Sequence, residues 1–125
     1  MSYLKFSFEE LEVWQKAVEF ANLVIQVVEK IDTSRKHFRL IEQLEAACTS
    51  VALNIAEGKG RYSKKEFIQF LYIARGSLYE TITLMIIFHK NNWIKKEDLE
   101  KLKQFADEIG KMLSSLISSI KKSIN

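Results

Sequence analysis

The first predicted helix of the chain carries two apolar seams, and each repeats at alternating three- and four-residue steps. One seam consists of Leu11, Trp14, Val18, Ala21, Ile25 and Val28. The other consists of Val13, Ala17, Phe20, Val24, Val27 and Ile31. Together they fill roughly 200° of a helical wheel, whereas one core needs a stripe of about 100°. The surplus predicts self-association. The pattern does not decide which seam faces inward, and the candidate oligomer interface is the seam that begins at Val13.

The apolar periodicity of the 125 residues predicts four helices, at about 7–31, 34–57, 63–92 and 95–122. Capping-box spacings start helix one, at Ser7 and Glu10, and helix three, at Ser63 and Glu66. Gly58 is predicted to end helix two in a left-handed conformation. Helix three is apolar on most sides, which predicts a central, enclosed position. The sequence therefore predicts an all-α, single-domain, antiparallel up-down-up-down four-helix bundle.

Composition places few limits on function. Charged residues make up 28% of the chain and hydrophobic residues 47%, as in ordinary globular domains. The formal net charge of +3 permits contact with nucleic acid without requiring it. Residues 1–8 lack the pattern of a signal peptide, and the apolar stretch 84–88 is too short to span a bilayer. We therefore expect a cytoplasmic protein that does not enter a membrane.

The sequence contains no catalytic or metal-binding pattern. His37 and His89 lie far apart, and neither belongs to the Glu-x-x-His motif of di-iron helical bundles. Cys48 lies in the apolar seam of helix two, which is typical of a buried structural cysteine. A single cysteine also excludes an internal disulfide and fits a reducing compartment. We expect no catalytic residue, no metal and no cofactor, and a protein that is not an enzyme.

Polar residues around the second loop form a candidate structural cluster. Glu57 stands near the end of helix two, where a carboxylate opposes the helix dipole unless a cation answers it. A glycine at position 76, in mid-helix, indicates that another backbone approaches closely. The predicted cluster, which would hold helices two and three in register, comprises Asn54, Glu57, Arg61, Arg75, Ser77 and Glu80. A ligand site built on the same residues is the alternative.

Basic residues form two groups that are candidates for nucleic-acid binding. One group is Arg35, Lys36 and Arg39, and the other is Lys59, Arg61, Lys64 and Lys65. In a monomer with so weak a net charge, a solvated loop is the simpler interpretation. In a symmetric oligomer, several copies of one basic loop would act together.

Two motifs carry a family resemblance: NIAEGKGR at 54–61 and ARGSLYE at 74–80. With Leu11, Trp14 and Ala17 on helix one, the chain resembles the bacterial four-helix bundle family over nearly its whole length. That family is also called the S23 or 23S rRNA intervening-sequence protein family. Two arginines common in the family are replaced here by Glu45 and Ala46, which weakens the nucleic-acid interpretation.

The resemblance implies a small cytosolic bacterial protein that forms ring-like homopentamers and has no catalytic activity. Some members are encoded inside intervening sequences of large-subunit rRNA genes. A related branch, the accessory variability proteins of diversity-generating retroelements, binds RNA and a reverse transcriptase. The main hypothesis is therefore a pentameric scaffold that contacts RNA or a protein partner through the basic loop. The alternatives are an RNA- or DNA-binding accessory factor to a reverse transcriptase and a ligand-binding bundle.

Overall fold

The computed structural model describes residues 4–33 and 36–124. A short 3₁₀ helix, Ser7–Glu10, precedes the bundle. Four α-helices follow, α1 Glu12–Glu29, α2 Phe38–Lys59, α3 Lys64–Lys90 and α4 Lys96–Lys122. The described part of the chain contains no strand, so the all-α prediction is confirmed.

The four helices form a square in chain order. Each of the pairs α1–α2, α2–α3, α3–α4 and α4–α1 is in contact, and within the described ranges neither diagonal pair is. Along α2 and α3, Gln43 lies beside Glu80 and Ser50 lies beside Ser77, so the two helices run in opposite directions. Side-chain contacts between α3 and α4 and between α1 and α4 follow the same order. The predicted up-down-up-down bundle is confirmed.

One continuous apolar core fills the centre of the square. Its largest fully buried side chains are Phe20, Phe88, Leu44, Ile55, Leu71, Leu78, Met85, Leu102, Ile109 and Leu113. Each helix contributes to this set, so burial of one face on each helix accounts for the stability of the bundle.

The seam that begins at Val13 lies inside this core. Val13, Ala17, Phe20, Val24 and Val27 are buried within the single chain, because this side of α1 faces the space between α2 and α4. The choice of this seam, with Ile31 at its end, as an oligomer interface is therefore wrong. The seam that begins at Leu11 is the outer one, and five of its six members are only half-buried.

Two of the predicted helix starts differ from the structure. Residues 7–10 form the 3₁₀ helix instead of the first turn of α1, because the extended backbone of Leu11 (ψ 121°) interrupts the helix. The carboxylate of Glu9, not Glu10, accepts a hydrogen bond from the Phe6 N–H at 2.7 Å. Helix α2 begins at Phe38, after His37 in a left-handed conformation (φ 64°). Residue 34, at which the sequence predicts this helix to begin, lies outside the described residues.

The predicted start of α3 is confirmed. Ser63 is its N-cap, and the Ser63 hydroxyl accepts a hydrogen bond from the Glu66 N–H at 3.1 Å. This bond satisfies one of the backbone donors that the first turn of a helix leaves free. Ser63 therefore fixes the residue at which α3 begins after the short second loop.

Neither Gly58 nor Gly76 has the role predicted for it. Gly58 lies inside α2 and is buried, and a Cβ there would stand 2.7 Å from the Phe70 Cβ and 3.0 Å from the Phe67 Cδ1. Gly60, in a right-handed conformation (φ −80°), ends the helix instead. A Cβ at Gly76 would meet no atom within 4 Å. The close approach between helices is therefore at Gly58, where α2 and α3 meet.

Helix α3 is not enclosed, contrary to the prediction. One side of it packs in the core, but Tyr72, Ile73, Tyr79 and Ile87 on the other side are exposed. By length and composition alone, α3 could cross a membrane. Core helices of soluble bundles pass the same test, and eight α3 residues are buried in this bundle. The absence of a membrane stays a prediction.

Candidate interaction surfaces

An open apolar groove runs between α1 and α2, and we call it the α1–α2 groove. It has a volume of about 330 Å³. Its walls are Phe8, Trp14, Val18, Ala21, Asn22, Ile25, Thr49, Ala52, Leu53 and Ala56. Four members of the outer α1 seam belong to it. The surplus apolar surface that the sequence predicts on the first helix therefore lines this groove.

The geometry of this groove suits an apolar occupant. The Leu53 side chain is 66% exposed at its rim, and the Trp14 ring stands 5.2 Å from the Phe8 ring of the N-terminal segment. The Thr49 hydroxyl donates to the Glu45 carbonyl at 2.8 Å in its own helix, so it does not need a ligand as its acceptor. Burial of apolar side chains is therefore the main interaction that the groove offers.

A second, larger groove lies between α3 and α4, and we call it the α3–α4 groove. Its volume is about 900 Å³. Tyr79 and Thr83 form part of the α3 wall, and Lys111 with Asp107 forms part of the α4 wall. These two α4 side chains make an ion pair of 3.0 Å on the surface. The α3–α4 groove is thus apolar on one wall and charged on the other.

The predicted polar cluster is not a single cluster. Its central part joins α2 to α3: the Ser50 and Ser77 hydroxyls are 2.9 Å apart, and the Asn54 amide donates to the Ser50 carbonyl and hydroxyl at 2.8 Å. Ser50 was missed, although it lies one turn before Asn54 on the same helix face. The predicted register role is supported by this three-residue link.

The other members of the predicted cluster lie apart from that link. Glu57 and Arg61 form an exposed ion pair of 2.7 Å within one helical turn. Glu80 accepts a hydrogen bond of 3.4 Å from Gln43, and Arg75 turns toward α4. The charged residues therefore build no shared site. A ligand site centred on Glu57 has no convergent partners among the described residues.

The two predicted basic groups lie at opposite ends of α2. The 22 residues of this helix separate them by about 33 Å, so they cannot contact one short ligand together. Lys36 and Arg39 are exposed, and Arg35 lies outside the described residues. Each end of the molecule therefore offers only one of the two basic groups to a nucleic acid.

Three of the four residues of the second basic group contact other parts of the chain. Arg61, besides its ion pair, stands over the Phe70 ring at 4.8 Å, and Lys59 stands over the Phe67 ring at 6.0 Å. Lys64 donates to the Ser123 carbonyl at 3.4 Å and is exposed. Lys64 and Lys65 are therefore the group's most available cations.

Two further cations, Lys121 and Arg75, meet at the Tyr72 ring, a contact that the sequence does not predict. Lys121 donates to the Tyr72 hydroxyl at 2.8 Å, and the Arg75 guanidinium lies 5.0 Å from the Tyr72 ring. The hydrogen bond from Lys121 lowers the pKa of Tyr72. In the described ranges no carboxylate lies within ion-pair distance of either cation. Their positions in sequence, 46 residues apart, gave no signal of this proximity.

The described residues contain no group of three His, Cys, Asp or Glu side chains that could hold a metal ion. Cys48 is fully buried, as predicted. Burial, with the nearby charge of Glu45, raises the pKa of the Cys48 thiol to about 11. A thiol that stays protonated in an apolar interior is a poor nucleophile. Cys48 is therefore a packing residue.

The comparisons with known proteins agree with this architecture. The family model described as 23S rRNA-intervening sequence protein matches residues 9–115. The chain belongs to this family. The resemblance on the motifs at 54–61 and 74–80 is thereby confirmed for the 23S rRNA-intervening sequence protein family. The link to accessory variability proteins of retroelements stays a prediction.

A solved structure of another family member has a similar fold. It is a Bacteroides thetaiotaomicron protein of unknown function from the S23 ribosomal protein family, solved at 1.70 Å. The two chains are 28% identical, and their structures superpose with a TM-score of 0.77 over 84% of this chain and 97% of that chain. No curated protein matches the chain. Neither the family description nor the solved structure names a catalytic activity.

Proposed function

We propose that this 23S rRNA-intervening sequence protein is a non-enzymatic helical scaffold that works by self-association. The observation that carries the proposal is the open α1–α2 groove. A single copy leaves the outer seam of α1 half-buried and Leu53 exposed beside it. Contiguous exposed apolar surface marks protein interaction sites, and most soluble oligomers are built from copies of one chain, so a second copy is the partner we propose.

The proposal extends to the number of copies and to the cell compartment. Five copies in a ring is the number that the resemblance implies, and a cytoplasmic location fits the single reduced Cys48. The burial of the other α1 seam within the chain supports separate roles for the two seams of this helix. One seam stabilises the monomer, and the other is left for assembly.

Light scattering coupled to size exclusion tests self-association. We expect the wild-type chain to have a molar mass several times that of one copy, which is 14.6 kDa. Leu53→Glu puts a charge at the rim of the α1–α2 groove without touching the core, and this variant is expected to elute as a monomer. Tyr62→Glu is the matched control, because Tyr62 is fully exposed in the loop away from both grooves. A monomeric wild type at high micromolar concentration would refute the proposal.

A second candidate function is RNA binding at the end of the bundle that carries the basic loop. Lys64, Lys65, Arg75 and Lys121 lie at this end, and the exposed ring of Tyr62 stands in the loop itself. Cations near exposed aromatic rings are typical of surfaces that bind single-stranded nucleic acid. The same loop in several copies of an assembly would strengthen a weak contact.

A gel-shift series at several salt concentrations tests this second function. We expect the affinity for a single-stranded RNA to fall steeply with salt, and replacement of Lys64 and Lys65 by Gln to reduce the salt slope. The matched control replaces Lys95 and Lys96 by Gln, which removes the same charge at the opposite end of the bundle. If the control reduces binding as much as the loop variant, the loop is not the site. A protein partner is favoured if no RNA binds at low salt.

A further inference from the structure

We propose that the end of the α3–α4 groove nearest Lys121 binds the phosphate group of a small organic phosphate, whose ring lies in the groove. The side chains that would hold the phosphate, which we call the Tyr72 cluster, are Tyr72, Arg75, Ser114 and Lys121. This site lies within one copy of the chain, so it goes beyond the proposed self-association and does not depend on it. Charge, hydrogen-bond donors and the position of the groove support the inference.

Two cations from different helices meet at one tyrosine ring of the Tyr72 cluster. The Arg75 guanidinium of α3 lies 5.0 Å from the centre of the Tyr72 ring, and the Lys121 Nζ of α4 lies 5.3 Å from it. Among the described residues, neither cation has a carboxylate within ion-pair distance. The two positive charges repel each other, and an anion bound between them would offset that repulsion. The arrangement therefore favours an anionic ligand.

The two cations also have hydrogen-bond donors to spare. A guanidinium has five N–H donors, and Arg75 donates to the Ser114 hydroxyl over a long 3.4 Å. An ammonium group has three donors, and Lys121 donates to the Tyr72 hydroxyl at 2.8 Å. These bonds leave donors of both cations for a ligand.

A phosphate monoester matches this pair of cations better than a carboxylate does. At neutral pH it carries about 1.5 to 2 negative charges and three oxygens that accept hydrogen bonds, whereas a carboxylate carries a single charge. The planar fork of an arginine binds two phosphate oxygens at once, and a lysine adds a point charge. Arg75 and Lys121 therefore supply both kinds of contact to one phosphate group.

The α3–α4 groove is continuous with the Tyr72 cluster. Ser114, a member of the cluster, lines the groove, and so does Ser118, one turn before Lys121 on α4. The carboxylate of Asp107 also lines the groove, but it is paired with Lys111 at 3.0 Å. A molecule whose phosphate is held by the cluster can therefore extend into the groove without meeting an unpaired carboxylate among the described residues that line it.

The groove suits an apolar or aromatic body on that phosphate. Its volume of about 900 Å³ is in the range of small-molecule sites. Leu78 and Ile82 form part of its α3 wall, and the 59% exposed Tyr79 lines it as well. An exposed tyrosine ring offers a face on which a planar ring can stack. The groove thus favours an organic phosphate over inorganic phosphate.

Isothermal titration calorimetry with adenosine monophosphate, inorganic phosphate and adenosine tests the site. We expect adenosine monophosphate to bind once per chain, and the other two probes, which each lack one part of it, to bind more weakly. Lys121→Gln is expected to weaken its binding about tenfold or more, because a charged hydrogen bond is lost. Lys122→Gln is the matched control that removes the same charge from the next residue. Its effect should be less than about threefold, since an exposed charge outside the site is screened.

A second variant tests the part of the site that holds the ring. Tyr79→Ala is expected to weaken the binding of adenosine monophosphate about fivefold or more, because a stacking surface is lost, and to leave inorganic phosphate unaffected. Tyr62→Ala is its control, because Tyr62 is fully exposed in the loop outside the groove. If inorganic phosphate binds as tightly as adenosine monophosphate, the groove holds no ring and the inference is overturned.

The remaining outcomes decide whether the Tyr72 cluster is a site at all. The inference is overturned if no probe binds, or if Lys122→Gln weakens binding as much as Lys121→Gln, which would show a diffuse positive field. It is also overturned if single-stranded RNA binds through Lys121 while adenosine monophosphate does not. Circular dichroism checks folding, and Arg75→Gln replaces Lys121→Gln if that variant unfolds. Lys121→Gln is expected to keep the wild-type mass, so failure of this site leaves the proposed self-association standing.

Discussion

The inner contact between α2 and α3 and the outer side of α3 show two different uses of glycine in one bundle. At the inner contact, a Cβ on Gly58 would stand 2.7 Å from the Phe70 Cβ and 3.3 Å from the Phe67 carbonyl oxygen, so the missing side chain lets α2 and α3 approach this closely. On the outer side, Gly76 faces open space. One glycine is explained by the fold of a single copy. The other has no neighbour within the chain that requires a glycine.

The largest difference between the two regions is expected for apolar side chains. Leu71 is fully buried in α3, and Ile73, two residues later, is 50% exposed. Leu71→Ala is expected to lower the free energy of unfolding by about 2–5 kcal/mol, because it leaves a cavity in the core. Ile73→Ala should cost less than about 1 kcal/mol, as surface substitutions do. Urea unfolding of both variants measures this, and equal losses would mean that α3 is enclosed after all.

The two glycines give a smaller and more specific contrast. Gly58→Ala is expected to lower the free energy of unfolding by about 1–3 kcal/mol, because the new methyl group overlaps with Phe70. Gly76→Ala should raise it by up to about 1 kcal/mol, since alanine favours a helix and meets no obstacle within the chain. Both are measured in the Leu53→Glu background to separate folding from association. If Gly58→Ala raised the free energy of unfolding, α2 and α3 would not be in close contact at Gly58.

The hydrogen-bonded link inside the α2–α3 contact has a smaller effect again. Ser77→Ala is expected to cost about 0.5–1.5 kcal/mol, because it removes the partner of the Ser50 hydroxyl. A double-mutant cycle with Ser50→Ala isolates the interaction between the two hydroxyls. Its coupling energy should be favourable and similar in size to the loss caused by Ser77→Ala. Additive losses would show that the two hydroxyls do not interact.

The smallest effect is expected for the exposed ion pair at the end of α2. Glu57→Ala should change the free energy of unfolding by less than about 0.5 kcal/mol, because exposed ion pairs contribute little. Glu57→Gln is the matched control that keeps the side-chain length. A loss in the free energy of unfolding as large as that of Ser77→Ala would indicate that Glu57 belongs to the single polar cluster that the sequence predicts.

The helices were predictable because each carries an apolar face, and α3 also carries a start signal. The cap at Ser63 lies where its spacing to Glu66 predicts, and the buried position of Cys48 follows from the seam of helix two. The start of helix one was not predictable from Ser7 and Glu10, because the extended backbone of Leu11 depends on how the preceding segment packs. Local patterns thus determine most of each helix and less of its ends.

The sequence predicted the apolar seams of the functional surfaces but not which of them face outward, because that depends on how the helices are arranged. Periodicity revealed two seams on α1, but the choice between them depends on where α2 and α4 stand around it. The same limitation applies to the glycines, because close approach is a property of two helices. The contact of Lys121 with Tyr72 joins the ends of α4 and the beginning of α3, so no local motif could reveal it.

Native mass spectrometry of the wild-type chain at high micromolar concentration tests the central claim most directly. The account predicts assemblies of several copies, each of 14.6 kDa, and only monomers for Leu53→Glu under the same conditions. A wild-type chain that remains a monomer, with the α1–α2 groove open to water, would contradict the account.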